Sequence, residues 1–163
     1  MVARDDLADG GALAVANTVR AIKQRCPNTR VETLISDLKG SAESLTTVMA
    51  AEPDVINHNV ETVPRLQRAV RPSASYARSL TLLARSKAAG FVTKSRLIVG
   101  MGETFDEVAG TLVDMKAAEV DIVTIGSIPT PDHPPSSRAP LVDTRRVRPT
   151  EVLRRNRPWH TPY

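Results

Sequence analysis

The 163-residue sequence is poor in the residues that build several special classes of protein. Its single cysteine, Cys26, excludes an internal disulfide, a multi-cysteine zinc site and an iron–sulfur cluster held by several of the chain's own thiolates. No apolar run approaches the ~18 residues that a membrane-spanning helix needs, so we expect no membrane partner. The residues after Met1 are acidic and lack an apolar core, so we predict no secretory or transit signal there.

Aromatic residues make up only 3% of the chain, which leaves little for stacking on nucleic-acid bases. The net charge of +4 arises in residues 127–163, which contain seven arginines and three acidic residues. Residues 1–126 contain fifteen basic and fifteen acidic residues. The run Arg145-Arg146-x-Arg148 is the one candidate for contact with nucleic acid. A nucleic-acid binder is therefore the least supported hypothesis.

Proline divides the chain at the same place. Eight of the twelve prolines lie beyond Gly126, and proline neither propagates a helix nor donates a hydrogen bond to a central strand. We therefore predict a folded domain over 1–126 and an irregular or disordered tail over 127–163.

Residues 1–126 alternate between helical and strand patterns. Helices are predicted over 12–24, after Ser41, over 75–88 and after Thr104, and strands over 31–35, 55–56, 94–99 and 121–125. Four such alternations predict an α/β fold with a parallel sheet covered by helices.

Apolar spacing predicts which helix faces are buried. On the first helix the buried stripe would end at Cys26, which is expected to be a small buried hydrophobe. In the last helix Thr104 and Glu107 have the spacing of a capping box. The expected buried face of that helix is Phe105, Val108, Leu112 and Met115.

Polar residues and glycines cluster where the predicted strands end, which is where parallel α/β proteins bind ligands. These residues are Ser36, Asp37, His58, Asn59, Glu61, Thr62, Gly100, Gly102, Glu103, Thr124 and Gly126. Loops are polar in any case, so an ordinary loop edge remains the alternative. Phe105 stands where a dinucleotide fingerprint needs a third glycine, so the glycine pair predicts either a ligand-binding turn or a plain tight turn. For His58 a hydrogen-bonded structural role is favoured over a general base or metal ligand.

Several blocks of residues together resemble the lipoyl synthases, over roughly residues 2–126. They include Val2-x-Arg4-Asp5-Asp6-Leu7-x-Asp9-Gly10-Gly11, His58-Asn59-Val60-Glu61-Thr62 and Gly100-x-Gly102-Glu103-Thr104. The resemblance implies an incomplete radical-SAM-type (β/α)6 partial barrel of parallel strands, from the end of the family's second strand through its sixth. It also implies S-adenosylmethionine and 4Fe-4S clusters as cofactors.

The family's activity is insertion of sulfur into a protein-bound octanoyl-lysine, which makes the lipoyl cofactor. The implied partner is an octanoylated lipoyl-domain protein or glycine-cleavage H protein. The implied location is the cytoplasm of a bacterium, or the mitochondrion or plastid of a eukaryote.

The resemblance implies cofactor-binding residues but no catalytic or metal-binding ones. Asn59 and Glu61 would face the bound nucleoside, and Lys94 and Ser95 would line the next strand. Gly100, Gly102 and Glu103 would form the turn that cradles the adenosine of S-adenosylmethionine.

Two departures from the family pattern shape the functional expectation. The family's cluster cysteines are absent, since Cys26 matches none of them, and Arg96 stands where the family usually has a small residue. We expect an inactive truncated form with an exposed apolar sheet edge and marginal stability. The alternative is a non-catalytic binding module that retains a nucleoside or lipoyl-carrier surface.

Overall fold

The sheet is parallel and has four strands. In the computed structural model, which describes residue 4 and residues 6–128, the spatial order of the strands is their order along the chain. The strands are β1 (Glu32–Leu34), β2 (Val55–Asn57), β3 (Val92–Val99) and β4 (Ile122–Ser127). Each neighbouring pair is parallel, which confirms the predicted α/β class.

Helices precede β1 and connect each strand to the next. They are α1 (Ala12–Arg25), α2 (Ala42–Met49), α3 (Gln67–Val70), α4 (Tyr76–Ala88) and α5 (Phe105–Ala117), with short 3-10 turns at Leu38–Gly40 and Pro64–Leu66. The sequence predicted the four longer helices but not α3, which is only four residues long. No helix in the described part of the chain is long and apolar enough to cross a membrane.

The predicted helix caps are present. The Ser41 hydroxyl accepts a hydrogen bond from the Ser44 backbone N–H at 3.1 Å and begins α2. At α5 the Thr104 hydroxyl accepts from the Glu107 N–H at 3.3 Å, and the Glu107 carboxylate accepts from the Thr104 N–H at 2.7 Å. This reciprocal capping box satisfies two backbone donors that would otherwise lack partners at the start of the helix.

Alternate residues of β3 face opposite sides of the sheet. Thr93, Ser95 and Leu97 are buried on the helix-covered side, whereas Lys94 and Arg96 lie on the more open side. The main apolar clusters lie on the covered side. One contains Ile35, Leu38, Leu45, Val48, Ile56 and Leu82, and the other contains Val60, Val63, Leu83, Leu97, Val108 and Met115.

Three local expectations were wrong. Cys26 is exposed, because α1 ends at Arg25 and the chain turns away at Cys26 before the apolar stripe reaches it. Phe105 is 54% exposed, because it is the first residue of α5 and its side chain points back beyond the packed turns. Ser127 of β4 pairs with Val99 of β3, so β4 extends one residue into the predicted tail.

The rest of that tail, residues 129–163, lies outside the described residues, and the division at residue 126 stays a prediction. The exposed apolar side chains of the sheet concentrate on β4, where Ile122, Val123 and Ile125 are 42%, 37% and 53% exposed. The expected exposed apolar edge of the sheet stays a prediction. The expected marginal stability is a prediction.

Two aspartates hold the beginnings of neighbouring strands together. Asp54, just before β2, accepts a hydrogen bond from the Val31 N–H at 2.8 Å and lies 3.6 Å from Lys23 Nζ of α1. Asp121, just before β4, accepts from the Thr93 N–H at 2.8 Å and pairs with Lys87 of α4. Each carboxylate thus links the start of its own strand to the start of the neighbouring strand and to the helix that precedes that neighbour, through charge-assisted bonds.

Replacing Asp121 with asparagine tests whether its hydrogen bond and ion pair stabilise the sheet. Asp121→Asn removes the ion pair with Lys87 and weakens the bond to Thr93, so we expect a loss of about 1–2 kcal/mol in unfolding free energy. Urea denaturation measures it. Glu119→Gln, which removes an exposed carboxylate nearby, should change stability by less than about 0.5 kcal/mol. Equal losses in the two variants would contradict the role of Asp121.

Candidate functional site

The chain beyond β2 continues alongside β3 and carries the first half of the candidate site. The Glu61 N–H donates to the Arg96 carbonyl at 2.9 Å, and the Ile98 N–H donates to the Glu61 carbonyl at 2.7 Å. Glu61 adopts a φ of +73°, a conformation that costs a non-glycine residue about 1–2 kcal/mol. The two backbone bonds hold it there, and strained residues of this kind concentrate at ligand sites.

The side chains of Asn59 and Glu61 form a pair. Asn59 Nδ2 donates to Glu61 Oε1 at 3.0 Å, and Arg71 Nη1 donates to the Asn59 carbonyl at 2.9 Å. All three residues are half-buried and line a cavity of about 90 Å³ at the carboxyl ends of β1 and β2. Small-molecule pockets usually have about 300–1,000 Å³, so a nucleoside would lie across this open edge, not inside the cavity.

Arg71 was not predicted as a site residue, because it lies outside the residue blocks that resemble the lipoyl synthases and comes ten residues after Glu61. Its position depends on α3, which the apolar pattern did not predict. The sequence does carry one indication that a cation lies near this site, because no acidic residue occurs between Glu61 and Glu103.

The glycine turn after β3 forms the second half of the site. Gly100 and Gly102 have φ values of +100° and +93°, which favour glycine at both positions. A Cβ at Gly100 would lie 2.8 Å from the Ile128 carbonyl oxygen, whereas one at Gly102 would meet nothing within 4 Å. Packing against the chain itself thus requires glycine at Gly100, while the space beside Gly102 is open.

The Glu103 carboxylate builds this turn. It accepts hydrogen bonds from the Gly100 N–H at 2.5 Å and the Met101 N–H at 2.9 Å. Burial raises the pKa of Glu103, but these backbone donors outweigh it, and the net pKa lies below the ordinary value. Glu103 therefore acts as a charged bracket for the backbone, with two of its acceptor positions already used.

Arg65 ties the segment that follows Glu61 to the glycine turn. Its Nη2 donates to the Gly102 carbonyl at 2.9 Å, and its Nε donates to Glu107 Oε1 at 2.6 Å. The Arg65 guanidinium and the Thr104 N–H lower the pKa of Glu107 to about 2, so the carboxylate stays charged. Asn59 and Glu61 follow β2 and the glycine turn follows β3, so all of them lie beyond the carboxyl ends of neighbouring parallel strands.

Lys94 and Ser95 do not join this group. Lys94 Nζ donates to both carboxylate oxygens of Glu32, at 2.9 and 3.0 Å, so its charge is already paired, and it does not line the cavity at Asn59 and Glu61. Ser95 is fully buried on the helix-covered side, where its hydroxyl accepts from the Val60 N–H at 3.2 Å. Cofactor binding by either residue stays a prediction, as it does for the other five.

His58 is buried next to the cavity that Asn59 and Glu61 line. It is 1% exposed, its Nδ1 donates to the Ile35 carbonyl at 3.0 Å, and its Nε2 accepts from the Ser79 hydroxyl at 2.8 Å. Burial lowers the pKa of His58, so the ring is neutral near pH 7. Both nitrogens have protein partners, which is the arrangement of a structural histidine.

The described residues do not fit an iron–sulfur cluster. Within residues 4 and 6–128 no group of three or more His, Cys, Asp or Glu side chains could hold a metal ion. Cys26 follows the end of α1, in the connection that leads to the start of β1. It therefore lies toward the amino ends of the strands, away from the edge that carries the glycine turn.

The sequence relatives agree with the motif blocks. The lipoyl synthase of Mycobacterium ulcerans (strain Agy99) is 52% identical over 139 residues, which are 84% of this chain and 43% of that protein. Over those residues the chain is similar to a lipoyl synthase. The lipoyl synthase of Tropheryma whipplei (strain Twist) is 49% identical over 139 residues, 84% of this chain and 40% of that protein. The chain thus spans less than half the length of these lipoyl synthases, and no protein-family model matches it.

Two solved structures have a similar fold. Methylornithine synthase (PylB) matches with a TM-score of 0.62 at 15% identity, over 70% of this chain and 33% of that one. Coproporphyrinogen III oxidase (HemN) from Escherichia coli, described as a radical SAM enzyme, matches with a TM-score of 0.60 at 16% identity, over 71% and 28%. The parallel sheet and its helices therefore have the fold of part of these two structures.

The buried histidine makes stability depend on pH. In the unfolded chain His58 binds a proton below its ordinary pKa of about 6.5, whereas the folded chain keeps it neutral to lower pH. The unfolding free energy should therefore fall as pH drops below about 6.5. His58→Gln should be less stable by about 1–3 kcal/mol at pH 8 and should lose this part of the slope. Urea denaturation between pH 5 and 8, at intervals of about one unit, measures both, and an unchanged slope would contradict the assignment.

Proposed function

We propose that this chain forms part of the barrel of a lipoyl synthase, and that its sheet edge binds the nucleoside of S-adenosylmethionine. The Asn59–Glu61 side-chain pair beyond the carboxyl end of β2, with Glu61 at a positive φ, is the observation that carries the proposal. The relatives named lipoyl synthase support the family, and the shared radical SAM fold supports the location at the carboxyl ends of the strands.

The residues at this edge suit a nucleoside. The Asn59 amide and Glu61 carboxylate offer a donor and acceptors for ribose hydroxyls. The open space beside Gly102 lets a ligand approach the backbone closely, next to the beginning of α5. When bound, S-adenosylmethionine would supply the radical chemistry, and the residues of this chain would only bind and orient it.

The clusters have no fitting residues here. A [4Fe–4S] cluster is held by several thiolates, and the sequence contains one cysteine. We therefore propose that this chain by itself does not cleave S-adenosylmethionine, and that sulfur insertion needs thiolates that it does not contain. An octanoylated lipoyl-domain or H protein would be the partner of the whole enzyme, in the bacterial cytoplasm or in a mitochondrion or plastid.

The same combination of features favours one alternative. A nucleoside-binding edge without cluster ligands also describes a non-catalytic binding module. Such a module would bind S-adenosylmethionine or the carrier protein without chemistry. Binding and cluster assembly therefore have to be measured separately.

Titration calorimetry with S-adenosylmethionine tests the edge. Glu61→Gln and Asn59→Ala each remove part of the pair, so we expect each to weaken binding by about 3–10-fold. Glu43→Gln, in the first turn of α2, is the matched control and should bind as the unchanged chain does. No heat with the unchanged chain, or an equal loss in the control, would refute the nucleoside edge.

Anaerobic reconstitution with iron and sulfide tests the cluster proposal. We expect much less iron than one [4Fe–4S] cluster per chain and no cleavage of S-adenosylmethionine, because a single thiolate cannot hold a cluster. Cys26→Ser serves as the control and should not change the residual iron. A full cluster on the unchanged chain, with turnover of S-adenosylmethionine, would contradict the proposal.

A further inference from the structure

A basic groove lies between α2 and α4. It has a volume of about 350 Å³, and the buried side chains of Leu45 and Leu82 contribute its apolar part. Its cationic lining residues are Lys39, Arg78 and Arg85. None of these five residues lines the cavity at Asn59 and Glu61, so the groove is separate from that site.

The sequence around α4 is one-sided in charge. Residues 62–102 contain eight basic residues and no acidic one, which the overall balance of residues 1–126 conceals. Four of the eight have carboxylate partners: Arg65, Arg78, Lys87 and Lys94. The other four have no carboxylate partner in the described part of the chain: Arg68, Arg71, Arg85 and Arg96.

The cations of the groove are only partly neutralised, because among them only Arg78 has a carboxylate partner in the described part of the chain. Lys39 Nζ donates to the Leu7 carbonyl at 2.9 Å, which orients the ammonium without cancelling its charge. Arg78 Nη2 donates to the Ser73 carbonyl at 2.8 Å and lies 3.1 Å from Asp37, the only acidic lining residue. Arg85 follows Arg78 by two helical turns and is exposed. Asp37 is only 6% exposed, so the accessible charge of the groove is positive.

We propose that this groove binds an acidic segment of a partner protein. Carboxylates of the segment would pair with Lys39 and Arg85, and an apolar side chain between them would contact Leu45 and Leu82. A single-stranded nucleic acid is disfavoured because no aromatic residue lines the groove, so its bases would have nothing to stack on. The proposal does not depend on the nucleoside edge, because the two sites share no lining residue.

Fluorescence anisotropy with the full chain tests the groove. The probe is a fluorescein-labelled peptide in which glutamate alternates with leucine, and the comparison peptide has glutamine in place of glutamate. We expect the glutamate peptide to bind at least about tenfold more tightly than the glutamine peptide, with affinity falling as salt is added. Arg85→Glu should weaken its binding by about tenfold or more, and Arg85→Gln by less, because reversal adds repulsion to the lost attraction.

Arg20→Glu is the matched control. It makes the same change in net charge on the exposed side of α1 and should change the affinity by less than about twofold. Circular dichroism checks that each variant is folded, and Arg85→Gln retains a polar side chain if reversal disturbs α4. Failure of the glutamate peptide to bind, equal binding of the glutamine peptide, or an equal loss in Arg20→Glu would overturn the proposal. Tighter, Arg85-dependent binding of a single-stranded oligonucleotide of matched charge would also overturn it.

Discussion

Both halves of the candidate site are anchored to β3, one by backbone hydrogen bonds and the other by direct continuation of the chain. This strand has eight residues, whereas β1 and β2 have three each. On one side it pairs with all six residues of β4, and on the other it binds the chain beyond β2, where Glu61 bonds to Arg96 and Ile98. The glycine turn then follows directly from its last residue. Because both halves of the site are attached to the end of one strand, a shift in the register of β3 would separate them.

Several polar residues near the strand ends bind the chain itself. Glu103 accepts from the backbone of the glycine turn, Ser95 accepts from Val60, and Asp121 accepts from Thr93. Parallel strands this short leave backbone donors at their ends without ladder partners, and buried donors have to be satisfied. A polar residue at a strand end is therefore as useful for closing the sheet as for holding a ligand. Asn59 and Glu61 differ because their side chains bond mainly to each other at an open edge.

Charge and thiol content bear on which roles suit this sequence. Its single cysteine cannot hold a [4Fe–4S] cluster, which several thiolates bind. The concentration of cations in residues 62–102 gives that segment a positive charge that the balance of residues 1–126 hides. Long-range attraction of a partner depends on this local field and not on the net charge of the chain.

Local sequence was enough to predict the alternation of helices and strands, the caps at Ser41 and Thr104, and the number of thiolates, because these depend on neighbouring residues or on composition alone. Tertiary structure decided which polar residues meet. Tertiary structure places Ser95 on the helix-covered side and pairs Lys94 with Glu32. It also brings Arg71 to Asn59 through α3, a short helix that the apolar pattern did not predict. The physical reason is that the direction of a side chain depends on strand register and on segments distant in the chain, neither of which local spacing specifies.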